Sequence, residues 1–181
     1  MKRAGVLARL MRRRESGVFL ALVLMLLLTS YYQPNFRTPD NLYLVSRQIA
    51  YPAIMALGVF FVILTSGIDL SISSVVCFSG IAAGIAMEAG IPWVLAVGVG
   101  LLAGALIGAI NGGIVSYVGV TPFIVTLGMM SVARGMVVGV TKGESIREIP
   151  EGFLRAANQD VLGLPMPVAI LLVLAVVTHV V

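Results

Sequence analysis

Residues 62–78 read VILTSGIDLSISSVVCF, and the fold turns on how they are taken. An acid, Asp69, stands beside a glycine and several serines, with strongly apolar sequence on both sides. In a soluble protein this is a polar loop between two core elements. In a membrane protein it is a break between two spans that brings a carboxylate close to hydrocarbon.

Composition decides between them. Hydrophobic residues make up 59% of the 181-residue chain and charged residues 11%, with a mean hydropathy of +1.05. About a quarter of the residues of a soluble domain are charged, because its surface must face water. This chain has too few, so it reads as an integral membrane protein. Its charge is also uneven. MKRAGVLARLMRRR, residues 1–14, carries six of the twelve basic residues, leaving six basic against eight acidic residues elsewhere. Basic residues beside a first span hold that end in the cytoplasm. The tail therefore predicts a cytoplasmic N-terminus, and nucleic acid is not an expected partner, since no basic face recurs. Gly17–Leu28 resembles the apolar region of a secretory signal, but TSYYQP is a poor cleavage site and more apolar runs follow, so a retained helix is expected.

Division of the chain follows: a basic cytoplasmic tail over 1–16 and a transmembrane domain over 17–181. The expected fold is all-α, a polytopic helix bundle with about six spans. Each run is compared with the roughly 20 residues needed to cross a bilayer. The first, Gly17–Tyr32, ends in an interfacial tyrosine pair. QPNFRTPDN reads as a loop, and a second span runs from about Gln48 to Leu64 with Pro52 near its start. After TSGIDLS a third covers about Ser71–Met87. A fourth opens at Pro92 and reaches about Val118. A fifth starts at Thr121–Pro122 and ends near Val140. After the polar stretch from Thr141, PVAILLVLAVVTHVV begins a sixth and the sequence stops. A piece of a longer protein is expected; the alternative is a short protein whose last helix ends flush with the membrane. Alternation places 33–47, 88–91 and 141–164 outside.

Within the fourth span Ala96, Gly100, Gly104, Gly108, Gly112 and Ser116 recur at every fourth position. Small residues let helix backbones approach in lipid, where no escape from water drives association. Gly100, Gly104, Gly108 and Gly112 are therefore candidate packing positions, with Gly80 and Gly84 a smaller set in the third span. Three polar side chains come at or near membrane depth. Asp69, with Ser71 and Ser73, is placed to accept from free amides opening the third helix; lining a solute path and relaying a proton are the alternatives. Asn111 bonds to a neighbouring helix or meets the hydroxyls of a polar solute. Arg134 is a charge buried in the fifth span, either snorkelling outward or paired with Glu88. The lone Cys77 excludes an internal disulfide and is expected to be a buried small hydrophobe.

No phosphate-binding GxxxxGK[ST], HExxH or GxSxG motif occurs, and His179 lacks partners for catalysis. No catalytic, cofactor-binding or metal residue is assigned. If nucleotide drives this protein, another polypeptide supplies the ATPase.

GIDLSISSVVCFSGIAAGIA resembles the signature following the second span of ribose/xylose-type permeases of bacterial ABC importers. GALIGAINGGIVSYVGVTPFIVTLGMMSVARGMVVGVTKG is similar to the next block of the same permeases, and IPEGFL…GLPMPV keeps their order of Pro, Phe and Gly-Pro. The likeness covers about residues 40–170 and corresponds to the N-terminal part of the family's longer chains. SSVV follows IDLSI where a glycine is common. The resemblance implies a permease subunit in the bacterial inner membrane, carrying a sugar, autoinducer-2 or a similar small polar solute. It also implies a second permease, cytoplasmic ATP-binding subunits and a periplasmic solute-binding protein as partners. Two other readings remain. An ion-coupled secondary transporter has broken helices and paired buried charges; a non-transporting scaffold packs by glycine without solute coupling.

Overall fold

Proline and αL residues punctuate this chain, and its helices start and stop at them. The computed structural model describes residues 16–180; the basic tail over 1–14 lies outside them. The chain divides into two units, Met1–Ser46 and Arg47–Val181.

In the first unit α1 is Ser16–Tyr32, followed by one 3-10 turn at Pro34–Arg37 and the start of α2, Pro39–Leu64. Thr38 caps α2. Asn41 N–H donates to Thr38 Oγ1 at 3.3 Å, and Leu42 N–H donates to the Thr38 carbonyl at 3.0 Å. Pro39 takes the first helical position, where no amide hydrogen is needed. Sequence alone starts this span near Gln48 with Pro52 in its first turn. The polar spelling QPNFRTPDN conceals the capped start, and Pro52 lies inside a 26-residue helix. A proline there removes one i→i−4 bond, which membrane helices tolerate when neighbouring groups satisfy the freed carbonyl.

The second unit holds α3 (Ile72–Glu88) and α4 (Trp93–Gly113), whose last turn widens to a π-helical turn over Ile114–Val118. It continues with α5 (Pro122–Thr141) and the short α6 (Glu151–Asn158). A minimal antiparallel hairpin pairs β1 (Asp160–Val161) with β2 (Leu164–Pro165), Asp160 opposite Pro165, and α7 is Met166–Val180. Thus the polar stretch after α5 is not a plain loop but holds an amphipathic helix and a hairpin.

The α3–α4 pair is the centre of this unit. Ala86, Met87 and Ala96 are buried together, with Ala83, Trp93, Val97, Ile149 and Phe153 packed against them. Trp93 meets Phe153 of α6 edge to face at 6.3 Å between centroids. Most large apolar side chains elsewhere point outward, which suits a chain whose solvent is lipid.

All-α architecture holds, and of the six apolar helices expected to cross, three meet the length criterion. Pro39–Leu64, Trp93–Val118 and Pro122–Thr141 are long and apolar enough to span a membrane; Ser16–Tyr32, Ile72–Glu88 and Met166–Val180 are apolar but shorter, at 17, 17 and 15 residues. Cys77 is exposed and not buried, because it lies two turns before Gly84 on nearly the same side of α3, and the Ile146 side chain that covers Gly84 leaves it open.

Candidate functional site

The break between α2 and α3 is built by backbone first. At the end of α2 Ser66 N–H donates to the Ile63 carbonyl at 2.9 Å and Gly67 N–H to the Val62 carbonyl at 3.0 Å. This nested pair closes a helix when the residue before the last donor is left-handed, and Ser66 has φ 59°. Gly67 fits closely: a Cβ there would lie 3.0 Å from Val62 Cγ1 and 3.2 Å from the Val62 carbonyl, so either neighbour would have to give by a few tenths of an ångström.

Side chains then hold the segment from three directions. Asp69 Oδ1 accepts from the Ser71 N–H and from the Ser71 hydroxyl, each at 2.7 Å. Asn111 of α4 donates through Nδ2 to Ser71 Oγ at 3.2 Å. Thr126 of α5 accepts from Leu70 N–H at 3.2 Å and its hydroxyl lies 3.1 Å from the Ile68 carbonyl. Ser71 is fully buried, with Asn111 and Thr126 nearly so. Asp69 therefore takes the amide just before α3, while Ser71, the residue flanking the helix, makes no side-chain cap. Its hydroxyl donates to the carboxylate instead of accepting from a backbone amide of α3.

This network has a direction. A carboxylate accepts only, so the single Ser71 hydroxyl proton points at Asp69. Ser71 Oγ can then only accept from Asn111, which forces the amide NH2 toward it and leaves Oδ1 on the far side. Asn111 Oδ1 and the Ser74 hydroxyl oxygen are buried without a partner. The gathered groups are hydrogen-bonding groups and one carboxylate; their chemistry is to fix a chain break.

The glycine ladder splits in two. A Cβ on Gly100 would meet the Ser79 carbonyl at 2.7 Å and Ala83 Cβ at 3.0 Å; one on Gly104 would meet Ser79 Oγ at 2.6 Å. Gly108 and Gly112 have nothing within 4 Å. Geometry explains this: residues four apart advance about 40° around a helix of 3.6 residues per turn. The ladder therefore leaves the α3 contact after Gly104, and Ile107 and Asn111 continue the buried face. Gly80 has open space, and Gly84 faces the Ile146 side chain of the loop after α5, not another helix.

Arg134 is exposed and not buried as expected. α5 buries Val125, Thr126 and Ala133, and Arg134 stands about 100° around from Ala133. Glu88 is not its partner: Glu88 accepts from the Arg147 amide at 3.1 Å, beside a cleft of about 190 Å³ also lined by Thr141, Glu144 and Ile146. Asp69 and Asn111 are thus brought together through Ser71, and Arg134 is not joined to them. Sequence reasoning passed over Thr126 and Ser74. PFIVTLG hides Thr126 one turn after the proline, where a hydroxyl in an apolar helix is the only signal.

Apolar helices of spanning length, close glycine contacts and a polar hub at a chain break define a multi-pass helical membrane protein. The chain belongs to the family described as the permease component of branched-chain amino acid transport systems, whose profile matches residues 41–181. It is similar to the D-allose transport system permease protein of Escherichia coli, with 32% identity over 163 residues, 89% of this chain and 50% of that one. The ribose import permease protein of Haemophilus influenzae is 37% identical over 166 residues, 87% of this chain and 50% of the relative. The autoinducer 2 import system permease protein of Yersinia enterocolitica is 40% identical over 126 residues, 66% and 38% of the two chains. The chain spans about half the length of the first two of these relatives. No solved structure matches it. The resemblance to sugar and autoinducer-2 permeases holds.

Proposed function

We propose that this chain forms part of the translocation path of an ABC importer for a sugar or similar small polar solute. The observation that carries the reading is its membership of a permease family over residues 41–181, with relatives named for allose, ribose and autoinducer-2 transport. Supporting it, the chain gathers hydrogen-bonding groups and spanning helices. In this reading it lies in the bacterial inner membrane with the N-terminus cytoplasmic, and the shorter apolar helices α1, α3 and α7 also cross. A second permease, cytoplasmic ATP-binding subunits and a periplasmic solute-binding protein complete the importer, and nucleotide is hydrolysed on the ATP-binding subunits. Asp69 holds the start of α3 and Asn111 ties α4 to it, so that helices bordering the path move as one piece when the ATP-binding subunits close.

The test is uptake in proteoliposomes holding the full-length permease, its neighbouring ATP-binding subunit and its binding protein. Labelled D-ribose and D-allose are offered with and without ATP. Uptake that requires ATP, the binding protein and this permease is expected. Uptake driven by an ion gradient and indifferent to ATP sinks the reading in favour of a secondary transporter; no uptake of either sugar, nor of labelled autoinducer-2 offered in the same way, leaves a scaffold.

A further inference from the structure

Ser71 and Ser74 stand three residues apart where α3 begins, neighbours on one helix face, and both are buried. Asn111 of α4 reaches only the first of them, through Nδ2 at 3.2 Å, the long end of the range for an N–H···O bond. Because the Ser71 proton is committed to Asp69, Nδ2 faces Ser71 and Oδ1 is left an acceptor without a donor. Ser74 has the opposite lack, a hydroxyl proton without an acceptor. Both atoms are unpartnered and closed to solvent among the described residues. Two buried polar groups left unpaired in one interface are costly.

The two groups are placed to find each other. α3 and α4 run antiparallel, since Gly100 lies against Ser79 and Ala83, Gly104 against Ser79 and Val75, and Asn111 against Ser71. Helical side chains lean toward the N-terminus of their helix, so the Asn111 amide leans from the level of Ser71 toward that of Ser74. Close glycine contacts fix the helices at Gly100 and Gly104, whereas a Cβ on Gly108 would meet nothing within 4 Å. Three residues beyond Asn111, α4 widens to the π-helical turn of Ile114–Val118, a form often found at functional sites. The end of α4 that carries Asn111 is therefore the part free to shift against α3.

We propose that Ser74 and Asn111 form a latch: in a second arrangement of the permease the end of α4 moves toward Ser74, whose hydroxyl then donates to Asn111 Oδ1. The amide bridges both serines, keeping its Ser71 bond and the register of the two helices. No bond is broken to gain the new one, so the closed arrangement is favoured by one hydrogen bond. This rests on the reading of the chain as part of an importer that alternates between nucleotide-free and nucleotide-bound states, the latch being closed in one of them and open in the other.

The experiment uses the full-length permease in its complex with the ATP-binding subunits and measures the ATP concentration that half-traps the complex with orthovanadate. Ser74→Ala removes the latch and leaves Asn111 bonded to Ser71. It should move that concentration about fivefold, upward if the closed latch belongs to the trapped state and downward if it belongs to the free one; fivefold is about 1 kcal/mol, the worth of one ordinary hydrogen bond. Ser74→Thr, which keeps the hydroxyl, should stay within about twofold of wild type. In an Asn111→Leu background Ser74→Ala should change nothing further, because the acceptor is gone, and the yield of assembled complex serves as the folding control. An unmoved Ser74→Ala, or a shift that persists in the Asn111→Leu background, overturns the latch alone. A wild-type complex that traps no nucleotide sinks the importer reading first and the latch with it, so the two failures are told apart.

Discussion

The α3–α4 pair is secured differently at its two ends. Where α3 begins, Asp69, Ser71, Asn111 and Thr126 hold the chain by hydrogen bonds of 2.7–3.2 Å drawn from α4, α5 and the break itself. Where α3 ends, Ala86, Met87 and Ala96 are closed over by Trp93, Ile149 and Phe153 with carbon contacts. Between them Gly100 presses its backbone against Ser79 and Ala83. Hydrogen bonds are directional, so the polar end admits one register of α4 on α3. Apolar packing depends on volume and tolerates small shifts when the yielding atoms belong to side chains. The polar end thus sets register, and the apolar end covers it.

The largest expected effect lies between the ends and separates close contact from mere glycine. Gly100→Ala drives a methyl into the Ser79 carbonyl, a backbone atom that moves only if the helices part. A loss of about 2 kcal/mol is expected, in the usual range for overpacking. Gly108→Ala meets nothing within 4 Å and should be neutral, or gain a few tenths from helix propensity. Gly84→Ala presses only on the Ile146 side chain at the apolar end, so its cost should stay under about 1 kcal/mol and vanish with Ile146→Ala. Reversible unfolding of the purified full-length permease in mixed micelles measures all three. Equal losses at Gly100 and Gly108 would mean the whole ladder packs, and the comparison fails.

A second, smaller effect divides the polar end itself. Thr126 serves two backbone groups, the Leu70 N–H and the Ile68 carbonyl. Thr126→Val keeps shape and strands both, so about 1–2 kcal/mol should be lost. Asn111 donates one bond but buries an oxygen without a partner. Asn111→Leu removes the bond and that unpaired acceptor together, and the net cost should be under about 1 kcal/mol. The same unfolding assay ranks the two variants. A larger loss at Asn111 would show that its free oxygen has a partner in the assembled protein.

Much of this was written in the sequence in local terms. Apart from the start of α2, the apolar runs, Pro92 and Thr121–Pro122 mark helices that form within a residue or two of where they were read. TSGIDLS marks the break because a carboxylate, a glycine and serines in hydrocarbon need backbone amides to bond. What stayed hidden depends on angle and context. A four-residue glycine period looks continuous on paper, yet its 40° drift per step carries Gly108 and Gly112 off the contact. The start of α2 was concealed because a 3-10 turn and a capped first turn share the composition of a loop. Arg134 gave its position along α5 but not which side it faced, since facing is fixed by what α5 packs against. Thr126 gave no pattern at all; its role arises only when α5 meets a break 56 residues earlier in the chain.

The smallest effect tests whether the two ends also differ in stored strain. Both ends of the α3 region are bounded by the same nested helix stop: Ser66 and Gly67 close α2 on Ile63 and Val62, and Gly90 and Ile91 close α3 on Met87 and Ala86. The left-handed residue is Gly90 at the apolar end, with φ 81°, and Ser66 at the polar end, with φ 59°. A side chain in that region is strained by about 1 kcal/mol, because its Cβ crowds the following carbonyl. Ser66→Gly relieves this strain but adds freedom to the unfolded chain, so a net gain of about 0.5 kcal/mol is expected. Gly90→Ser imposes the strain at the other end and should lose about as much. A loss at Ser66→Gly would mean the serine hydroxyl contributes more to the break than its backbone costs, and polar side chains would then govern even the stop of α2.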